Sequence, residues 1–136
     1  MPIAKQRGVQ FEYRTAYFFE RFGYTWDRSG SSLGIDLKIL KNGKLHYLIN
    51  CKKTAKSKLI YLPQAEVERL SAEAVERGAK GLVCFGFYRS PIYVLTVDGM
   101  KKLERTKLNY KLKPRDGTPL EEFLSEEARC GSSTET

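Results

Sequence analysis

Asp36, the triplet Asn50-Cys51-Lys52 and Glu12 are the residues of this sequence whose types and spacing suit phosphoryl chemistry. Hydrolysis of a phosphodiester calls for a divalent cation that polarises the phosphate and activates water, and such a hard cation is held by carboxylate and carbonyl oxygens. A lysine beside it orients the water and stabilises the charge that develops. An acid on one strand, an acid with a lysine two positions later on the next strand, and a helical glutamate supply those parts. Position 50 departs from the pattern, because a neutral amide offers one carbonyl oxygen but neither the charge nor the bidentate reach of a glutamate. Taken singly, Asp36 and Lys52 read equally well as solvated strand charges, and Glu12 as one helix-surface carboxylate among many. Only a shared face makes them a site.

That shared face depends on a hairpin. Residues 35–40 and 45–52 alternate apolar with polar on either side of Asn42-Gly43. Ile35, Leu37 and Ile39 take one face of the first arm, and Asp36 and Lys38 the other. Leu45, Tyr47, Ile49 and Cys51 take one face of the second, opposite His46, Leu48, Asn50 and Lys52. A two-residue turn continued without a break sets Asp36 against Ile49 and mixes the faces. A three-residue turn, Asn42-Gly43-Lys44, pairs Ile35 with Cys51, Leu37 with Ile49, Ile39 with Tyr47 and Asp36 with Asn50. In that register Asp36, Asn50 and Lys52 form one cluster.

The remaining elements read as supports for this hairpin. Helical spacing runs from about Ala4 to Phe22, where Tyr13, Tyr17, Phe18, Phe19 and Phe22 are expected in a core or a dimer interface, and Gly23 ends the helix. Tyr24-Thr25-Trp26 reads as an edge strand and 28–34 as a polar loop. A second helix is expected from Leu62-Pro63 to Arg77, with Val67, Leu70, Ala74 and Val75 inward and Gly78 beyond its last turn. Strands follow at 81–87 and 92–97, then a short turn at 99–103. A last helix begins at Thr118-Pro119, and a polar tail from 126 to 136 is expected to be disordered.

With 136 residues and 41% hydrophobic content, one domain, about residues 1–125, accounts for the chain. Twenty-four Lys and Arg against 16 Asp and Glu give a net charge of +8, which favours a polyanionic partner such as nucleic acid. No membrane-length apolar run and no signal-peptide pattern is present, so an intracellular, cytoplasmic and nucleoid-associated protein is expected. Cys51, Cys84 and Cys130, with His46 as the single histidine, suggest neither a disulfide framework nor a zinc site, and no serine–histidine triad is implied.

In the order of its motifs the sequence resembles the archaeal-type Holliday junction resolvases of the restriction-endonuclease-like superfamily. The resemblance rests on Arg7-Gly8 followed by Glu12, Gly30-Ser31, Ile35-Asp36 where the family has Pro-Asp, and Asn50-Cys51-Lys52 where it has Glu-x-Lys. Ile60-Tyr61-Leu62 before Gln64 completes the set, which spans residues 5–125. It implies an α/β fold with a central mixed β-sheet flanked by helices, and a homodimer that cuts four-way DNA junctions in recombination and repair. It further implies Mg2+, or Mn2+, held by Glu12, Asp36 and residue 50, with Lys52 positioning the water and Ser31 in a loop over the junction. Arg7, Arg14, Arg28, Lys53, Lys56 and Lys58 would meet DNA phosphates. Asn50 in place of glutamate implies weakened or lost cleavage, and the second reading is a relative that binds branched DNA without cutting it.

Overall fold

The computed structural model describes residues 2–28 and 34–134, with side chains described over 9–28 and 34–129. Its centre is β3 (Lys44–Lys53), where Tyr47, Leu48, Ile49 and Asn50 are consecutive and all buried. A strand buried on successive residues must be covered on both faces. Antiparallel β2 (Leu37–Lys41) lies on one side of it and parallel β5 (Lys80–Gly86) on the other. With β1 (Thr25–Arg28), β6 (Tyr93–Thr96) and β8 (Thr118–Pro119) they form a six-stranded mixed sheet in the order β1-β2-β3-β5-β6-β8.

Two apolar layers cover the sheet. On one face Leu37, Ile39, Tyr47, Ile49, Leu82 and Cys84 meet Phe11, Ala16 and Phe19 of α1 (Pro2–Arg21) and Leu120 and Leu124 of α4 (Leu120–Thr134). On the other, Leu48, Val83 and Phe85 meet Val67, Leu70 and Ala74 of α2 (Gln64–Arg77), and Val97 and Met100 of α3 (Val97–Met100). A two-stranded antiparallel sheet, β4 (Ile60–Pro63) with β7 (Asn109–Leu112), packs into this second layer through Ile60, Leu62, Tyr110 and Leu112. The expected α/β class, a central mixed sheet flanked by helices, is therefore found.

The hairpin keeps the expected register by a different route. Leu37 pairs with Ile49 and Ile39 with Tyr47, but the turn has two residues, with Lys41 opposite Lys44 and both Asn42 (φ 52°) and Gly43 (φ 77°) left-handed. Such a turn matches strand twist and needs two residues that tolerate positive φ. The extra residue is His46, a bulge between the Leu40–Leu45 and Ile39–Tyr47 pairs.

Four other expectations are corrected. Ile35 packs with Leu48 and α2, not with Leu37 and Ile39, because the ladder begins only at Leu37 and period-2 alternation does not extend back to it. Leu48, assigned to a polar face, is fully buried, since α2 covers that face. Val75 is 79% exposed in the last turn of α2. The segment expected as a disordered tail continues α4 to Thr134: Leu120 and Leu124 anchor the helix, and Tyr47 donates a hydrogen bond to Glu127 at 3.1 Å.

Candidate active site

Asp36 sits just before β2, where its N–H donates to the Ile49 carbonyl at 2.8 Å and its Oδ2 accepts from the Cys51 N–H at 2.7 Å. One strand over, Asn50 is 1% exposed, yet it stands at the end of an otherwise apolar run. Its Nδ2 donates to the Gly34 carbonyl at 2.7 Å and to Glu66 Oε1 at 3.1 Å. Lys52 Nζ lies 3.0 Å from the same Glu66 oxygen. Gly34, Asp36, Asn50, Lys52, Glu66 and Arg69 thus line one polar cleft of about 310 Å³. A larger depression, lined by Ser71, Ala72, Val75 and Lys101, contains none of these groups.

Gly34 closes the cleft tightly. Its φ is +82°, and a Cβ there would come within 3.2 Å of Asn50 Nδ2 and 3.3 Å of Glu66 Cβ. Only glycine brings its carbonyl to Asn50 without strain.

Glu12 projects from α1 at the edge of this group, where Arg28 binds its Oε1 at 3.0 Å and stacks over Tyr13. Burial, then the nearby Asp36 charge, raises the Glu12 pKa against the opposing pull of Arg28. Burial also raises that of Asp36, with Glu66 adding to the shift and the Cys51 N–H and Lys52 resisting it. Burial holds Cys51 and Cys84 well above an ordinary thiol, so both are protonated packing residues.

A carboxylate whose folded pKa lies above its unfolded value is destabilising in its charged form, a cost present at neutral pH and lost as pH falls through the carboxylate range. Asp36→Asn is therefore expected to raise Tm by roughly 2–5 °C at pH 7.5. The gain should shrink towards zero in thermal melts at progressively lower pH, and an equal gain at every pH would refute this account.

These groups form a hard-oxygen donor set. Asp36, Glu66 and Glu12 offer carboxylates, and the buried Asn50 Oδ1 is an acceptor without a partner among the described residues. The set fits a hard divalent cation. Each carboxylate already has a protein donor, and among the described residues no three acidic, histidine or cysteine side chains stand in ligand geometry.

The structure brings Asp36, Asn50 and Lys52 together, with Glu12 adjacent. Arg28 is an ion-pair partner of Glu12. Arg14 is exposed on α1, and Lys53, Lys56 and Lys58 are exposed at and beyond the end of β3. Ser31 and the Arg7 side chain lie outside the described residues. Sequence reasoning missed Glu66, whose site contacts are all distant in sequence. Its signal is a first-turn acid on α2, two residues after the Gln64 noted in the motif set.

The family model for archaeal Holliday junction resolvases matches residues 3–131. The chain belongs to that family. Membership places this resolvase-family chain among nucleases that act on DNA junctions. No curated protein sequence matches it. Among solved structures it is similar to the Holliday junction resolvase of the archaeal hyperthermophile Archaeoglobus fulgidus, with 23% identity and a TM-score of 0.73. That match covers 88% of this chain and 96% of the other, and supports the fold. Among the described residues no helix is long and apolar enough to cross a membrane.

Proposed function

We propose that this chain is a structure-specific, metal-dependent endonuclease that cuts four-way DNA junctions as a homodimer. The observation that carries the reading is the convergence of Asp36, Asn50 and Lys52 in one cleft, with Glu12 beside it, on a chain of the resolvase family. Asp36, Glu12 and the Asn50 carbonyl would hold the cation, which when bound polarises the phosphate and lowers the pKa of water. Lys52 presents an ammonium that orients the nucleophilic water and stabilises charge on the phosphate oxygens. The exposed Lys53, Lys56 and Lys58 and Arg14 would meet backbone phosphates, which selects for shape and charge rather than sequence. Two copies related by a two-fold axis suit two opposed cuts in a two-fold substrate.

Asn50 favours a second reading, a protein that binds junctions without cutting, since no carboxylate stands at that position. An end-labelled four-way junction incubated with Mg2+, and with EDTA as control, separates the two. Symmetric paired incisions that require Mg2+ are expected. Tight binding without incision would establish the second reading, and no preference for the junction over linear duplex would overturn both.

A further inference from the structure

We infer that Glu66 supplies the carboxylate that position 50 lacks, so that Glu66 joins Asp36 and the Asn50 carbonyl as a ligand of the cation site, with Glu12 at its edge. The inference rests on the metal-dependent reading above, but it assigns a ligand that the family resemblance does not.

Asn50 and Glu66 are arranged as a pair. The amide nitrogen of Asn50 donates to Glu66 Oε1 and to the Gly34 carbonyl, so it holds a carboxylate at the cleft. A glutamate at 50 has no hydrogen to give and would repel Glu66 instead. Reversing the amide would turn its oxygen towards two acceptors, so Oδ1 is the atom left over. That oxygen is buried and has no hydrogen-bond partner among the described residues, on a residue that is 1% exposed.

An unpartnered buried carbonyl oxygen carries a desolvation cost that a bound cation relieves. Lys52 and Asn50 both contact Oε1 of Glu66, and neither engages its second oxygen. α2 fixes the Glu66 backbone in its first turn, and Val67 and Leu70 are buried against the sheet. Asp36 and Glu66 line the same cleft, so two like charges face one small cavity. A divalent cation between them relieves that repulsion, and Lys52 partly substitutes for it when no metal is bound.

The test measures Mn2+ binding to the full chain without DNA, by the loss of the free-ion electron paramagnetic resonance signal. Glu66→Gln is expected to weaken binding roughly 10–100-fold, and Asp36→Asn at least as much. Glu66→Asp keeps the charge but withdraws it by one methylene, and should lose about threefold or more if Glu66 is a ligand. Adding Asn50→Glu to Glu66→Gln returns one carboxylate to the cleft, and is expected to recover affinity to within about threefold of the parent. Parental affinity in Glu66→Gln and Glu66→Asp, with affinity lost in Asp36→Asn, would overturn the role of Glu66 and leave the cation site standing. Equal, negligible binding in the parent and Asp36→Asn would overturn the cation site itself, and this inference with it. Circular dichroism melts of each variant keep loss of binding separate from loss of fold.

Discussion

Replacing Lys52 with methionine is expected to lower single-turnover cleavage of a four-way junction by about 10²–10⁴-fold while leaving junction affinity within a few-fold. The side chain is one-third exposed and its ammonium lies in the cleft, whereas its backbone is locked in the ladder opposite Phe85. The substitution therefore removes a charge from the reacting region without disturbing the strand. Little stability should go with it, since a partly exposed ion pair such as Lys52–Glu66 contributes at most about 1 kcal/mol. Lys52→Arg keeps the charge but offers a planar fork in place of a compact ammonium, and should likewise bind the junction at near-parental affinity without restoring the rate. The dependence of junction affinity on salt is informative here: if Lys52 serves chemistry rather than docking, the slope of log K against log salt changes by less than about one. Parental cleavage by Lys52→Met would remove Lys52 from the chemistry and with it the main argument for this cleft as the catalytic one. Methionine also removes the competing cation at Glu66, so Mn2+ binding should tighten even as cleavage fails.

How much of this site could be seen in advance follows from the range of the interactions involved. The pairs Leu37–Ile49 and Ile39–Tyr47 were legible because a one-residue slip would turn every apolar side chain of the hairpin to the wrong face. The turn was not, because a three-residue turn and a two-residue turn followed by a bulge at His46 shift the register equally. Lys44 and His46 are both polar and exposed, so apolar patterning has no preference between them. Strands β4 and β7 escaped notice for a related reason. Each has four residues, Pro63 resembles a helix opening, and β7 lies in a lysine-rich stretch, although Tyr110 and Leu112 alternate inward. Leu48 marked the limit of period-2 reasoning, since in a strand covered on both faces apolar character no longer tells one face from the other. Glu66 marks a different limit: it meets Asn50 and Lys52 only because α2 folds back over β3. A local pattern carries no trace of such a contact.

The strand that carries Lys52 is fixed by Phe85, and Phe85→Ala is expected to cost about 3–5 kcal/mol, a large share of the stability of a domain this size. Phe85 is fully buried beside Lys52 in the parallel β3–β5 pairing, with its ring packed against Phe87 and Tyr93. On its far side the chain passes so close at Gly117 that a Cβ would lie 2.6 Å from Phe85 Cζ and 2.8 Å from Tyr93 Cβ. Gly117→Ala alone should therefore destabilise by about 1–3 kcal/mol through overpacking. The two changes share one volume and should not add. With the ring gone, one of the two clashes disappears and the new methyl partly fills the cavity, so Gly117→Ala should cost less in the Phe85→Ala background than in the parent. Chemical denaturation of the parent, both single variants and the double variant measures this coupling directly. Strict additivity would mean that Gly117 is required by backbone geometry or by Tyr93 rather than by Phe85. A favourable coupling of about 1 kcal/mol or more is the expected result. It would tie the packing of β6 and β8 to the strand that presents the lysine.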